Sequence, residues 1–432
     1  MIRYEAYKPS GIDWIGEVPK QWQYKRLKNI TLAQPKSKIP AGEGQEEGIY
    51  PFFTSSVNLN KFYDEPTFEN LEALIMGTGG IASLHYYKGD FSVSTDCYVL
   101  TKSININLKF IYFSLYCQLD TVINDIGFDG QGLKHLQKEF INNYPFYLPT
   151  PVEQLAITNY LDNQTEKIDR LIANKKAQVE KLKELRQIEI NNAVNKGLNP
   201  NPEMKDSGIE WLGKIPKHWE VKKVKQLLRP EKNAIKTGPF GSDLKFEDLV
   251  DQGVKVYNQR SVLDNDWVSG EGYITEEKYK SLETCTIYPG DIVITTRGTI
   301  GKVSIFPDNA ELGILHPCLM RVQMNNYRIL NDFLKIIINE SGYFLEALKL
   351  ASNATTIDVV YSDNLKEVKI ALPPPSEQKS IIEFVFQRTI AIDKLIKNIE
   401  AQIEKLQELR KIKIYEAVTG KIKVNDYAET TA

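Results

Sequence analysis

Ser10-Gly-Ile-Asp-Trp-Ile-Gly-Glu-Val-Pro-Lys-Gln-Trp22 returns 197 residues later as Ser207-Gly-Ile-Glu-Trp-Leu-Gly-Lys-Ile-Pro-Lys-His-Trp219. Two Trp, two Gly and a Pro recur in register, which marks a duplicated unit. A second pair lies downstream: Leu148-Pro-Thr-Pro-Val-Glu-Gln154 matches Leu372-Pro-Pro-Pro-Ser-Glu-Gln378 at an offset of 224. The match runs on through Ile168-Asp-Arg-Leu-Ile172 with Ile392-Asp-Lys-Leu-Ile396, and Glu180-Lys-Leu-Lys-Glu-Leu-Arg186 with Glu404-Lys-Leu-Gln-Glu-Leu-Arg410. The offset grows by 27, so the second copy holds about that many more residues between its shared ends. The plan is therefore variable block, helix, variable block, helix: one frame with two different contents.

After each Leu-Pro-x-Pro step, apolar residues keep helical spacing with charges between them. In the first copy these are Ile168, Leu171, Ile172, Val179, Leu182, Leu185 and Ile188; in the second, Ile392, Leu395, Ile396, Ile403, Leu406, Leu409 and Ile412. Gly197 and Gly420 supply the stops. Some 35 to 40 residues at 1.5 Å each make a rod of roughly 50–60 Å, and one such helix alone is marginal in water. The simplest burial is against its own duplicate, as an intramolecular antiparallel coiled coil with a pseudo-twofold relation. The Pro run at Pro373 reads as a linker.

The blocks Met1 to Tyr147 and Lys205 to Leu372 read as mixed α/β units. Strand-like runs are Ala73–Met76, Tyr98–Leu100, Asp291–Ile294 and Lys302–Phe306; helix-like runs are Leu108–Tyr116 and Leu330–Leu350. The blocks share a glycine turn after a strand, Gly77-Thr-Gly-Gly80 with Gly298-Thr-Ile-Gly301. It reads as a structural turn or as a loop near phosphate or base, and is neither a Walker loop nor a dinucleotide fingerprint. Trp14, Trp22, Trp211 and Trp219 read as packing residues of the frame.

The chain's 432 residues, at about 150 per domain, allow three domains. With 42% hydrophobic and 25% charged residues, disorder is excluded. No apolar run nears a membrane span's ~20 residues and the start lacks a signal peptide's pattern, so a cytoplasmic protein with no membrane partner is expected. Cys97, Cys117, Cys285 and Cys318 stand apart, His316-x-Cys318 has no second ligand pair, and no metal is expected.

Lys plus Arg total 54 against 56 acidic residues, so charge must be read regionally. Between Lys20 and Lys38 the charges are all basic, and the stretch from Lys214 to Lys236 is predominantly basic. Lys25, Arg26, Lys36, Lys38, Lys222 and Lys223 are candidate phosphate contacts, since backbone contacts position a protein on DNA. Thr54, Ser55, Ser56, Asn58, Thr78, Asn258, Gln259, Arg260, Arg297 and Thr299 are candidate loop readers, because Asn/Gln suits adenine and Arg suits guanine. Hydrolase, metalloprotease and kinase motifs are missing, so no catalytic or cofactor-binding residue is expected.

The ordered blocks Ser10–Gly16 with Ser207–Gly213, Pro151-Val-Glu-Gln154 with Pro375-Ser-Glu-Gln378, and helices ending Ala193-Val194 and Ala417-Val418 resemble the specificity subunit of type I restriction–modification systems. The resemblance implies target recognition domains at 1–150 and 199–372, each reading half of a bipartite, asymmetric site on double-stranded DNA. It implies spacer helices at 151–198 and at 373–432 with the tail, a ruler setting half-sites about one helical turn (~34 Å) apart. It further implies docking of two copies of a methyltransferase subunit, which carries S-adenosylmethionine and methylates adenine, and of a restriction/translocase subunit that uses ATP and Mg. Chemistry then belongs to the partners. The alternatives are a stand-alone DNA-modifying enzyme with duplicated reading domains, and a coiled-coil scaffold with no DNA role. The tail from Lys421 to Ala432 is a place for contacts with the N-terminal segment.

Overall fold

The computed structural model describes residues 2–129, 134–209, 212–352 and 359–424. Trp211, expected to pack, lies outside them, as does the tail beyond 424. The chain divides into two compact units: residues 1–176 with 400–432, and residues 177–399.

The first unit opens with a hairpin of β1 (Tyr7–Pro9) and β2 (Glu17–Pro19), then β3 (Gln23–Arg26). Six strands follow: β4 (Thr31–Ala33), β5 (Tyr50–Phe53), β6 (Phe62–Tyr63), β7 (Phe68–Gly77), β8 (Leu84–Val93) and β9 (Cys97–Lys102). They form one sheet in the order β4-β9-β7-β8-β5-β6. β7 alternates: Leu74 and Met76 enter the larger core while Ala73 and Ile75 enter a smaller one with Phe53 and Phe91. A period of two with both faces covered is what an unbroken apolar strand requires. Helix α1 (Leu108–Tyr116) lies on β7 and β8. The short α2 (Asn124–Ile126), the pair β10 (Phe128–Asp129) and β11 (His135–Leu136), and α3 (Lys138–Asn142) lead to β12 (Pro145–Leu148), which returns antiparallel onto β3.

Helix α4 (Pro151–Lys196) then runs 46 residues. The second unit repeats the scheme. β13 (Met204–Asp206) and β14 (Lys214–Pro216) form its hairpin, and β15 (Glu220–Lys223) follows. Next come β16 (Ile235–Thr237), β17 (Val254–Tyr257), α5 (Gln259–Leu263), β18 (Gly272–Ile274), α6 (Glu276–Leu282), β19 (Thr286–Ile287), β20 (Ile292–Thr295), β21 (Val303–Ile305), β22 (Gly313–Leu315) and β23 (Leu319–Val322). Two sheets result, β16-β23-β20-β21 and β18-β17-β22-β19. The first matches β4-β9-β7-β8, and the parallel pair β17–β22 matches β5 with the end of β8. On β20, Ile292 and Ile294 face one core and Val293 the other, as on β7. The expected helix Leu330–Leu350 is two helices, α7 (Asn331–Asn339) and α8 (Phe344–Ser352), parted around Gly342. After α9 (Ser362–Glu367), β24 (Lys369–Leu372) pairs with β15, and α10 (Pro375–Val418) runs 44 residues.

The repeated frame is bonded identically in both units. Ser10 and Ser207 hydroxyls accept from the amides of Ile12 and Ile209 at 3.1 Å, and their own amides donate to the carbonyls of Gly16 and Gly213. Those glycines sit at φ +70 and +65, a left-handed conformation that costs a glycine little. Trp22 and Trp219 are fully buried. Their indole N–H groups donate to Glu153 (3.5 Å) and Glu377 (3.0 Å), the glutamates of the two Pro-x-Glu-Gln motifs. The neighbouring Gln154 and Gln378 are buried: their amides donate to Pro149 and Pro373 carbonyls, and their carbonyls accept from the amides of Asn107 and Leu330, which lead into α1 and α7. Pro373 and Pro374 link β24 to α10, while the last proline of the run starts the helix: Pro151 and Pro375 are first helical residues, where the missing N–H costs nothing.

Within the first unit, Lys175 donates to Gln402 and Arg410 pairs with Asp169, so the α4 and α10 segments run antiparallel there. Within the second, Arg186 pairs with Asp393 and Arg388 with Glu189, again antiparallel. Ile168, Ile172, Val179 and Ile392 are buried, whereas Leu171, Leu185, Ile188, Leu395, Leu409 and Ile412 are exposed. The buried seam is narrower than the stripe, because a two-helix contact covers only about two positions in seven. The end of α10 (Ile414, Ala417, Val418) packs into the first unit's core with Trp22, and Ile190, Ala193 and Val194 of α4 into the second's with Trp219. The tail meets the N-terminal segment: the Lys423 amide donates to the Ile2 carbonyl and Lys421 Nζ to the Glu17 carbonyl. Among the described residues, no helix is long and apolar enough to cross a membrane.

Candidate nucleic-acid interface

In each unit the sheet ends in three loops held together by the same backbone bonds. In the first, Ser94 N–H donates to the Phe53 carbonyl and Thr78 N–H to the Asp96 carbonyl, both at 2.8 Å. In the second, His316 N–H donates to the Tyr257 carbonyl (2.9 Å) and Thr296 N–H to the Cys318 carbonyl (2.8 Å). Residue 53 therefore corresponds to 257, 78 to 296 and 96 to 318. The candidate reader segments Thr54-Ser55-Ser56 and Asn258-Gln259-Arg260 occupy equivalent positions directly after β5 and β17.

The glycine loops also coincide in place, between β7 and β8 and between β20 and β21, but not in the register read from sequence. Gly77 N–H donates to Ser83, as Thr295 N–H donates to Lys302. This aligns Gly80 with Gly298, both left-handed at φ +79 and +69, and Thr78 with Thr296. The identical letters Gly-Thr at 77 and 298 are offset by three positions in space. Sequence matching favoured identity of residues, whereas the fold preserves the position of the positive φ.

In the first unit, Ser55 Oγ donates to the Asp96 carbonyl and accepts from the Gly79 amide, and Thr78 Oγ1 donates to the same Asp96 carbonyl. Thr78 is buried, so Ser55 and Thr78 shape the loops rather than face outward. Ser56 and Asn58 are exposed, and Thr54 Oγ1 and Ser56 Oγ accept from the amides of Ser56 and Asn58, which fixes that turn. Lys36 and Lys38 join this cluster: the Thr95 amide donates to the Ile39 carbonyl beside them. Lys25 and Arg26 do not. They lie on β3 against β12, and β4 then runs from Lys102 toward Leu100, placing them past the opposite end of β9. One basic run in sequence is split by one short strand.

In the second unit, Asn258 caps α5, its side-chain oxygen accepting from the Arg260 amide and its nitrogen donating to Glu271 at 2.6 Å. Gln259 donates to the Thr299 carbonyl at 3.0 Å, tying two of the loops. Arg260 is exposed and lies only loosely near Asp264, 3.7 Å away. Arg297 and Thr299 are exposed, and Arg297 has no hydrogen-bond or ion-pair partner among the described residues. An unpaired guanidinium fork is suited to an acceptor pair supplied from outside. Lys222 and Lys223 stand apart on β15 and are already engaged: Lys222 with Glu220, and Lys223, with Lys225, on the Glu367 carboxylate. Those two lysines hold Glu367 well below the usual carboxylate range, at about 2.

Glu271, Asp96 and the His316–Cys318 turn also belong to these clusters, and no local motif marks them as members. His316 Nδ1 lies 3.0 Å from Cys318 Sγ, and burial pushes the imidazole down and the thiol up. The pair closes a turn, and no group of three or more metal-ligating side chains occurs among the described residues.

The family model for the type I restriction modification DNA specificity domain matches twice, over residues 19–181 and 216–405. The Type I restriction enzyme MjaVIII specificity subunit of Methanocaldococcus jannaschii is 24% identical over 423 residues, 95% of each chain. The Type I restriction enzyme EcoDI specificity subunit of Escherichia coli is 21% identical over 435 residues, 96% of this chain and 91% of that protein. A solved chain from a study of complex assembly and conformational transition of the type I R-M system superposes with a TM-score of 0.61 at 13% identity, covering 94% of this chain and 99% of its own. At that identity the likeness is one of fold.

Proposed function

We propose, from the premise that the chain belongs to the type I restriction modification DNA specificity family, that it is the DNA-binding specificity subunit of such a system. Each of its units takes one half of a bipartite, asymmetric site on double-stranded DNA. The observation that carries this reading is the pairing of one strand order with two chemistries. Equivalent loops carry Thr, Ser and Ser in one unit and Asn, Gln and Arg in the other, with Ser56 and Arg260 exposed, so the two half-sites differ in sequence. Arg297 and Arg260 are the groups best placed to take guanine O6 and N7, while Lys36 and Lys38 supply phosphate contacts in the first unit. Lys223 and Lys222, already paired to carboxylates, contribute less than their sequence position implies.

The helices α4 and α10 set the spacing of the half-sites in this reading, and two methyltransferase subunits dock on the frame. Those partners carry S-adenosylmethionine and modify adenine, and a restriction subunit with ATP and Mg cleaves unmodified DNA. The chain itself binds no cofactor and catalyses nothing, and the assembly works in the cytoplasm. The exposed Leu171, Leu185, Ile188, Leu395 and Ile412 support docking of partners along the helices.

The test is a genome-wide map of methylated adenine in a host carrying this gene and in its deletion strain. Loss of a single bipartite motif on deletion is expected. An unchanged map, together with no co-purifying methyltransferase, overturns the assignment.

A further inference from the structure

The loop that follows β16 holds a phenylalanine with 76% of its surface exposed, Phe240. A benzyl group in water is a cost that a fold normally removes, and here the backbone is built to keep it there. Gly238 and Gly241 flank it with Pro239 between. A Cβ on Gly238 would lie 2.1 Å from the His316 carbonyl oxygen, so only glycine lets the loop pass over that turn. The Gly238 amide donates to the Leu319 carbonyl. Beyond the ring, the Phe240 carbonyl accepts from the amides of Asp243 (2.8 Å) and Leu244 (3.3 Å), and the Leu244 side chain returns to the core. Phe240 is therefore presented at the tip of a pinned turn, not on a loose tether.

The place of this turn matters. The Cys97–Leu319 equivalence set by the backbone bonds carries over to the neighbouring strands, since Ala33 pairs with Leu100 and Ile235 with Val322. Counting outward, Lys36 corresponds to Gly238 and Lys38 to Phe240. The first unit thus carries a cation where the second carries an aromatic ring, on the same loop, at the same end of the sheet as the readers. Beside Phe240 an open groove is lined by Lys236, Ser242, Ser281 and Thr284, together with Asp243 and with Lys278, whose ammonium is paired with Asp248 at 2.9 Å. Cations and hydroxyls next to a presented ring are the elements with which proteins grip a sugar–phosphate backbone and press a side chain against bases.

We infer that Phe240 is a specificity-determining wedge that inserts against a base step of the half-site taken by the second unit, with the Lys236 groove holding the adjoining phosphate. This rests on the DNA-specificity reading above and adds a contact that reads how readily a step unstacks rather than which groups its edges carry. Flexible pyrimidine–purine steps are the expected sites.

The experiment uses the full chain with its methyltransferase subunits and a duplex carrying the mapped motif, with 2-aminopurine placed at one adenine at a time. The native complex is expected to raise fluorescence at one step of one half-site; Phe240→Ala abolishes that rise and weakens binding by about 5- to 150-fold. Phe240→Trp restores both, and Phe246→Ala, removing a ring even more exposed, changes neither. Unaltered binding and fluorescence in Phe240→Ala overturn the wedge while leaving the specificity reading intact. If Phe240→Ala instead lowers retention of the methyltransferase at native DNA affinity per complex, the ring is a protein contact and the wedge is again overturned. A native complex that ignores the motif duplex removes the specificity reading itself, and the wedge with it.

Discussion

Gln378 has none of its surface exposed and makes three hydrogen bonds through one amide. Its oxygen accepts from the Leu330 amide at 2.8 Å, and its nitrogen donates to the carbonyls of Pro373 and Arg328, each at 2.9 Å. These bonds fasten the first turn of α10 to the entry of α7, and hence the helix to the sheet. Gln378→Leu fills most of the volume but leaves a donor and two acceptors without partners. An orphaned buried polar group costs about 1–3 kcal/mol, and the two carbonyls, each with a second lone pair, fall at the low end. A loss of about 3 kcal/mol is therefore expected, or roughly 6–12 °C in Tm for a cooperative unit of this size. Gln378→Glu keeps the shape but turns an acceptor toward two carbonyls unless it is protonated. Its folded pKa must then lie above the unfolded value of about 4.3, so the variant is most stable in acid and weakens as pH rises through that interval. Calorimetry from pH 4 to 8 reads both variants. A Leu variant within 1 °C of the native protein, or a Glu variant that gains stability with rising pH, would refute the account of this motif as a buried bonding hub.

The Glu367 carboxylate, held at about 2 by Lys223 and Lys225, contributes stability above its unfolded pKa and loses it as pH falls toward 2. The native protein should accordingly have an acid-unfolding advantage over Glu367→Gln that fades below about pH 4, as followed by circular dichroism. Ile414→Ala, at a fully buried site in the first unit's core, should cost about 2–4 kcal/mol. Glu189→Ala, on a half-buried bidentate ion pair with Arg388, should cost about 1 kcal/mol in the same urea titration, less than the core truncation. Arg297→Ala should relax recognition at one base pair of one half-site by about 1–3 kcal/mol and leave the other half-site unchanged, which competition binding with single-base variants would show.

How far the sequence could be read depends on the range of the interaction concerned. The helices were legible because α4 and α10 are set by local spacing and stopped by Gly197 and Gly420. Their starts were legible as well, because Pro151 and Pro375 punctuate the chain at the first helical position, where a proline's missing N–H costs nothing. The runs Ala73–Met76 and Asp291–Ile294 announced central strands, because a strand covered on both faces has no polar side to show. The topological identity of the two units was hidden. It resides in backbone bonds such as Thr78 to Asp96 and Thr296 to Cys318, which constrain no side chain. For the same reason the Gly-Thr pairs were matched three positions out of register. The loops after β5 and β17 could be picked out by residue type, and Thr54–Ser56 and Asn258–Arg260 do correspond in place. Charge was the least faithful guide: Lys25 and Lys36 are neighbours in sequence and sit beyond opposite ends of β9.

The division of labour between frame and loops follows from where the polar atoms are spent. Three pairs of shared polar residues in the frame are committed to internal bonds: Ser10 and Ser207 to their turns, Glu153 and Glu377 to indoles, Gln154 and Gln378 to helix entries. Such groups cannot change without leaving a buried partner unpaired, at a cost of 1–3 kcal/mol each by the general scale of orphaned polar atoms. The loop residues are held differently. In both units the loops meet main chain on main chain, Phe53 with Ser94 and Tyr257 with His316, so the meeting point is kept while the side-chain bonds that finish each loop differ: Ser55 to Asp96 and Gly79 in one unit, Asn258 to Glu271 and Gln259 to Thr299 in the other. A reading surface supported by its backbone and a frame supported by its side chains can diverge at very different rates in sequence while keeping one geometry. That is the pattern the two halves of this chain already display: a frame that aligns residue by residue, and loops that align only in their hydrogen bonds.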